Sequence, residues 1–113
     1  MLSLIIPCFN EEKNLEKLFR NISLLLKDYS NEQVEILIVD NGSTDKSNEY
    51  IKDSDLYLAK KIKLIEIKNN IGYGNGIYEG IIASKGDYVA WCHADLQIDP
   101  HDVLKIFLKS KQK

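Results

Sequence analysis

Four short apolar runs, each closing on a polar loop and three of them separated by helical spacing, constrain this chain more than any other feature. Leu2-Ser3-Leu4-Ile5-Ile6 stops at Pro7, and Val34 to Val39 stops at Asp40. Ile62 to Ile67 stops before an asparagine- and glycine-rich loop, and Tyr88-Val89-Ala90-Trp91 stops before a polar cluster. Between the first two runs, Leu15, Leu18, Phe19, Ile22, Leu25 and Leu26 form one apolar helical face. A weaker helix is expected over Lys46 to Leu58, a short one over Ile77 to Ser84, and a last one opening at Asp99-Pro100. Ile62 to Ile67 alternates, and the other runs are nearly continuous in apolar residues, as strands buried on both sides are. Their alternation with helices predicts an α/β/α sandwich: a parallel sheet with helices on both faces and right-handed crossovers. The Rossmann-like strand order 3-2-1-4 would bring the loops after strands one, two and four to one edge. The switch point would then lie between strands one and four.

Local signals refine this outline. Asn10 can cap the first helix, with Glu11 and Glu12 favourable in its first turn. Asn41-Gly42-Ser43-Thr44-Asp45 is a turn that supplies a second cap. Trp91, inside an apolar run, reads as core, and His101, in a first helical turn, reads as solvent-facing.

Bulk properties exclude several classes. A chain of 113 residues has room for one domain or part of one. Its 44% hydrophobic share supports a core and argues against disorder. A net charge of −2 leaves no electrostatic footprint for nucleic acid. The lysines between Lys105 and Lys113 read as a solvated helix end. Cys8 and Cys92 read as buried reduced thiols, since no secreted context is visible. Asn21-Ile22-Ser23 and Asn41-Gly42-Ser43 fit the glycosylation pattern but carry no meaning without secretion. The first apolar run is too short for a leader or a membrane span, so the expected compartment is the cytoplasm.

The candidate site is where polar residues gather beyond strand ends. Asn10 and Glu11 follow the first strand, Asp40 to Asp45 the second, and Asp95 and Gln97 the fourth. Turn chemistry explains any one of these clusters, but three on one edge point to a site. Asp95 and Gln97 lie two residues apart, so an extended chain points both the same way. Two oxygen ligands suit a hard cation, Mg²⁺ or Mn²⁺, which in turn suits a diphosphate. His93 has three readings: a hydrogen bond to ligand, a metal ligand, or packing. Gly72, Gly74 and Gly76 do not make the dinucleotide fingerprint, which needs G-x-G-x-x-G after the first strand, and there is no triphosphate loop. They read as a floor for a nucleotide or sugar.

These residues resemble a known family. Pro7-Cys8-Phe9-Asn10-Glu11-Glu12, Val39-Asp40-Asn41-Gly42-Ser43-Thr44-Asp45, Asn70-Ile71-Gly72-Tyr73-Gly74, Lys85-Gly86-Asp87-Tyr88 and Ala94-Asp95-Leu96-Gln97 are similar, in order and spacing, to family 2 glycosyltransferases of the GT-A fold. The last of these looks most like the polyprenyl- and dolichol-phosphate mannose or glucose synthases. The resemblance implies that Pro7, Asn10 and Glu11 shape a base and ribose pocket, Asp40 binds the nucleobase edge, and Ser43 and Asp45 fix that loop. Gly72 and Gly74 would line the nucleotide-sugar cleft, Asp87 would help hold the site, and His93 would touch a ribose hydroxyl or a phosphate oxygen. Asp95 would carry the divalent ion, with Gln97 as second ligand. His93 stands where the family's Asp-x-Asp motif has an acid, which weakens the case for metal. The resemblance assigns no catalytic base.

The resemblance therefore implies the donor-binding portion of an inverting transferase, spanning 1–113 and incomplete by itself, in the cytoplasm or at the inner face of a membrane. The donor would be a UDP- or GDP-linked sugar, and the acceptor a polyprenyl phosphate or a glycan hydroxyl. Truncation would expose sheet edge, which makes a homo-oligomer an open expectation. The rival readings are a non-catalytic nucleotide-binding or regulatory module and, lower, a sugar-phosphate nucleotidyltransferase.

Overall fold

The computed structural model describes residues 1–30, 32–95 and 99–111. Strands β1 (Leu2–Cys8), β2 (Val34–Asn41), β3 (Lys63–Ile67) and β4 (Tyr88–Trp91) form one parallel sheet in the order β3-β2-β1-β4. The helices are α1 (Glu12–Asp28), α2 (Ser47–Asp53), α3 (Asp55–Leu58), α4 (Tyr73–Ala83) and α5 (Pro100–Lys111). The fold class and strand order expected from the sequence are the ones found. In the register, Cys8 lies opposite Asp40 and Ile5 opposite Trp91, so the carboxyl ends of β1, β2 and β4 share one edge.

The two sheet faces are covered unequally. Leu4, Ile6, Ile36 and Ile38 meet Leu15, Leu18, Ile22 and Leu25 of α1, with Ile51, Leu56 and Leu104 completing that core. Ile5 points the other way, onto α4. A Cβ on Gly80 would stand 2.6 Å from Ile5 Cγ2, so glycine lets this helix lie flush on the sheet. Asp99 Oδ1 accepts from the His101 N–H at 2.9 Å, the cap expected for α5 with Pro100 as its first residue.

Several expectations are corrected. Asn10 does not cap α1. The N-cap position belongs to Glu11, which makes no capping bond through its side chain, while Asn10 takes φ 52° and reaches into the loop after β2. The expected helix over 46–58 is broken at Ser54, whose hydroxyl donates to Ile51 O at 2.7 Å and accepts from Tyr57 N at 3.2 Å. One serine thus ends α2 and starts α3. Helix α4 begins at Tyr73 rather than Ile77, because Gly74 and Gly76 adopt helical geometry instead of staying in the loop. Trp91 is not core: β4 pairs only with β1 among the described residues, and Trp91 is 53% exposed. An apolar run does not tell an edge strand from a central one. His101 does not face solvent freely. Its Nε2 lies 2.7 Å from Asp28 Oδ2 and its ring 5.5 Å from that of Tyr29, clasping α5 to α1.

Candidate functional site

A cleft of about 290 Å³ opens at the carboxyl edge of the sheet. Its walls are Pro7, Cys8, Phe9 and Glu11 beyond β1, Asn41 of β2, Asn70 and Tyr73 around the start of α4, and His93 and Ala94 beyond β4. Of the residues expected from sequence, Pro7, Glu11 and His93 are therefore brought together. Ligand pockets run from about 300 Å³ upward, so this cleft holds part of a ligand rather than all of a large one.

Behind the cleft a hydrogen-bonded loop fixes its shape. Asn10 Oδ1 accepts from the backbone N–H of Thr44 at 2.7 Å and of Asp45 at 3.2 Å, and the Asn10 N–H donates to Ser43 Oγ at 3.0 Å. Asp45 accepts from the N–H of Ser47 at 2.9 Å and of Glu12 at 3.3 Å. Burial raises the Asp45 pKa, but these bonds together with the Ser47 hydroxyl outweigh it and hold the carboxyl below its usual range. The Glu11 N–H donates to Ser47 Oγ at 3.0 Å, and Glu11 Oε2 accepts from Asn14 Nδ2 at 2.7 Å. Asn10, Ser43 and Asp45 thus serve each other and do not line the cleft.

Asp40 is 5% exposed and also lies behind the cleft wall. One carboxylate oxygen accepts from Ser43 N at 3.1 Å and the other from Asn48 Nδ2 at 2.9 Å. Its neighbour faces the ligand space instead, because successive strand side chains point to opposite faces. Asn41 is 3% exposed and lines the cleft. Its Nδ2 donates to Gly72 O at 3.0 Å and to Asn70 Oδ1 at 3.3 Å. The Gly72 carbonyl can only accept, so the amide nitrogen must face it. Asn41 Oδ1 is then a buried acceptor without a hydrogen-bond partner among the described residues. Asn41 is not among the site residues expected from the sequence. Strand alternation across Asp40 and Asn41 was the signal that separates them.

Gly72 takes φ 119°, and neither Gly72 nor Gly74 has any atom within 4 Å of a built Cβ, so both leave open space beside the cleft. Between them Tyr73 stacks on His93, with ring centroids 4.9 Å apart and planes at 11°. Tyr73 Oη lies 3.3 Å from His93 Nε2. Burial raises the Tyr73 phenol pKa, followed by the charges of Cys92 and Asp95. Asp95 is half-buried one residue beyond Ala94. Gln97 lies outside the described residues. Asp87, expected near the site, sits at the opposite end of the sheet. Its carboxylate pairs with the Met1 amino group at 3.1 Å, because in a parallel sheet the start of β4 lies beside the start of β1.

The chemistry of the cleft rests on these groups. The Cys8 thiol is pushed up to about 12 by burial and then by Asp40 and Glu11, and Cys92 to about 12 by burial and then by Asp99 and Asp95. Neither is a nucleophile at neutral pH. Among the described residues no three His, Cys, Asp or Glu side chains are grouped to hold a metal. Asp95 does not itself line the cleft but follows Ala94, which does, and one carboxylate there suits a cation that keeps several waters and takes further ligands from a bound diphosphate, as Mg²⁺ does. The donor set fits a shared ion and not a closed protein cage.

With this geometry in place, comparison with known proteins defines the class. The profile described as Glycosyl transferase family 2 matches residues 3–113, and the chain belongs to that family. It is 32% identical to the undecaprenyl-phosphate 4-deoxy-4-formamido-L-arabinose transferase of Enterobacter sp. (strain 638), over 98% of this chain and 34% of that protein. It is 31% identical to the dodecaprenyl-phosphate galacturonate synthase of Rhizobium johnstonii, over 90% of this chain and 30% of that one. The chain thus spans about a third of the curated relatives it matches. Among solved structures, the mannosyltransferase PcManGT from Pyrobaculum calidifontis in complex with GDP-Man and Mn²⁺ superposes with a TM-score of 0.80 at 23% identity, covering 96% of this chain and 31% of that one. S. aureus TarS 1-349 in complex with UDP-GlcNAc superposes with a TM-score of 0.78 at 22% identity, covering 98% and 31%. The fold is GT-A.

Proposed function

We propose that this chain is the donor-binding portion of an inverting glycosyltransferase whose sugar comes from a nucleoside diphosphate and whose acceptor is a polyprenyl phosphate. The observation that carries the reading is the cleft where β1, β2 and β4 end, with the orphaned acceptor Asn41 Oδ1 in its wall. A buried acceptor left unmade costs about 1–3 kcal/mol, which an N–H of a nucleobase or a ribose hydroxyl recovers on binding. Asn41 makes that contact, Glu11 and Pro7 bound the nucleoside, and Asp40 holds the loop one layer behind.

In the transfer, an acceptor oxygen attacks the anomeric carbon while its bond to the diphosphate breaks and the nucleoside diphosphate leaves. A lipid phosphate arrives ionised and needs no base, whereas a hydroxyl acceptor does. A divalent ion held by Asp95 and Gln97 would neutralise charge on the leaving diphosphate. The first turn of α4 carries no acidic residue, so nothing on it offsets the positive end of the helix dipole beside Tyr73, which favours an anion in the cleft. The polyprenyl acceptor is inferred from the two named relatives and would place the enzyme at a membrane surface, on its cytoplasmic side. Among the described residues no helix is long and apolar enough to cross that membrane.

Calorimetry with UDP and GDP, with and without Mn²⁺, tests the reading. Binding strengthened by Mn²⁺, with the strengthening lost in Asp95→Ala, is expected. Asn41→Ala should weaken nucleotide binding about tenfold, the worth of one well-placed hydrogen bond. Absence of binding by either nucleotide overturns the reading.

A further inference from the structure

A groove of about 350 Å³ runs between α1 and α2, on the sheet face opposite α4. Its floor is apolar, made by Leu15 and Phe19 of α1 and by Tyr50 of α2, which is 51% exposed. Its rim is acidic: Glu12, Glu16 and Asp53 line it against one cation, Lys13. Glu12 and Glu16 stand four apart on one helix, a like-charge spacing that costs helix stability. Among the described residues no ion pair engages the carboxylate of Glu12 or Asp53, and Glu16 meets only Arg20, at 3.8 Å. An apolar floor inside an acidic rim fits a partner that offers an apolar anchor flanked by cations.

The chain carries such an anchor itself. Ile106 of α5 is 69% exposed, and Lys105 and Lys109, one before it and three after it on the same helix, are exposed as well. The small net charge of −2 is thus segregated, with acid around the groove and base along the end of α5. We propose that a second copy of this chain docks here: Ile106 of each copy enters the α1–α2 groove of the other, and Lys105 and Lys109 meet Glu16 and Asp53. The exchange closes on itself. Helices α2, α1 and α5 lie on one face of the sheet, with α1 packed against both of the others, so a twofold axis crossing α1 sets each α5 over the opposite groove. His101 Nε2, 2.7 Å from Asp28 Oδ2, fixes α5 on α1, so the anchor is presented without rearrangement. Leu24, half-exposed on α1, adds apolar surface to the same layer. This contact differs from sheet-edge pairing and leaves Trp91 uncovered.

Sedimentation velocity on the full chain over a concentration series tests the proposal. A dimer is expected whose dissociation constant rises at least about tenfold between about 0.05 M and 0.5 M salt, because the charged contacts lie at an exposed rim. Lys105→Glu with Lys109→Glu should weaken it about tenfold, Glu16→Lys with Asp53→Lys should do the same, and all four together should return affinity to within about threefold of wild type. Ile106→Asp should leave a monomer. All five side chains lie at the surface, so each variant should keep the wild-type far-UV circular dichroism, and Trp91→Lys should dimerise as wild type does. A wild type that stays monomeric throughout, charge reversals that do not restore each other, or a dimer that survives Ile106→Asp and is lost in Trp91→Lys overturns the proposal. None of these residues lines the donor cleft, so its failure leaves the nucleotide reading standing.

Discussion

Replacing Asn10 separates two sources of stability that the structure assigns to one side chain. Asn10 holds a left-handed backbone at φ 52° and gives its Oδ1 to the N–H groups of Thr44 and Asp45, with Nδ2 donating to Thr44 Oγ1 at 3.2 Å. These three bonds are exposed, so together they are worth about 1–2 kcal/mol, at the low end of the usual range. The left-handed conformation costs a residue with an ordinary Cβ about 1 kcal/mol that Asn and Gly largely escape. Asn10→Asp keeps the acceptor and the tolerance and should lose about 0.5 kcal/mol. Asn10→Gly keeps only the tolerance and should lose about 1–2 kcal/mol. Asn10→Ala loses both and should cost about 2–3 kcal/mol. Unfolding entropy near 2.1 cal/mol/K per residue makes each kcal/mol about 4 °C in a chain of 113 residues. The alanine variant should therefore melt about 8–12 °C below wild type and the aspartate about 2 °C below. Urea titration followed by far-UV circular dichroism, with melting in parallel, measures the series. If alanine is as stable as glycine, the backbone argument fails. If aspartate is as damaging as alanine, the loop is not held by Oδ1.

Three further outcomes are expected. Burial opposes ionisation of Glu35, but hydrogen bonds from Lys63 Nζ at 2.7 Å, from Ser3 Oγ and from the Lys85 N–H hold its carboxyl below the usual range. That stabilisation is present above the ordinary glutamate value of about 4.3 and is lost as pH falls through the lowered native value. Glu35→Gln should thus cost about 1–2 kcal/mol near pH 7 and much less near pH 3 in denaturant titrations, and a pH-independent cost refutes the assignment. The Cys8 and Cys92 thiols, both pushed to about 12, should resist alkylation in native protein at about pH 8 and react once guanidinium unfolds it; rapid native labelling would contradict their burial. Trp91, the single tryptophan and half-exposed on the edge strand, should emit at long wavelength and be quenched by acrylamide, and a blue, protected emission would mean that something covers β4.

The sheet was legible because its signal is redundant. Every residue of β1 is buried, so a run of Leu and Ile between polar loops admits few other readings. The order followed from right-handed connections and from the tendency of polar loops to share an edge. Positions relative to that sheet were harder. Tyr88-Val89-Ala90-Trp91 is as apolar as a central strand, yet only its pairing partners make it an edge. Ser54 and Asn10 each carry a side chain that serves a turn, a cap or a distant loop equally well, and composition does not choose between them.

The site divides along the same line. Which loops meet was fixed by topology, and topology also rules Asp87 out, since a residue before a parallel strand lies at the far end from one after it. Which side chain on a converging loop faces the ligand depends on parity. Asp40 and Asn41 are one residue apart and chemically alike, but the register that turns Asp40 toward Asn48 of α2 turns Asn41 toward Gly76 of α4 and into the cleft. Adjacent polar residues at the end of a buried strand should therefore be read as one structural and one ligand-facing member. The interior decides which is which: the carboxylate at Asp40 has a donor for each oxygen, and the amide at Asn41 has an oxygen with none among the described residues.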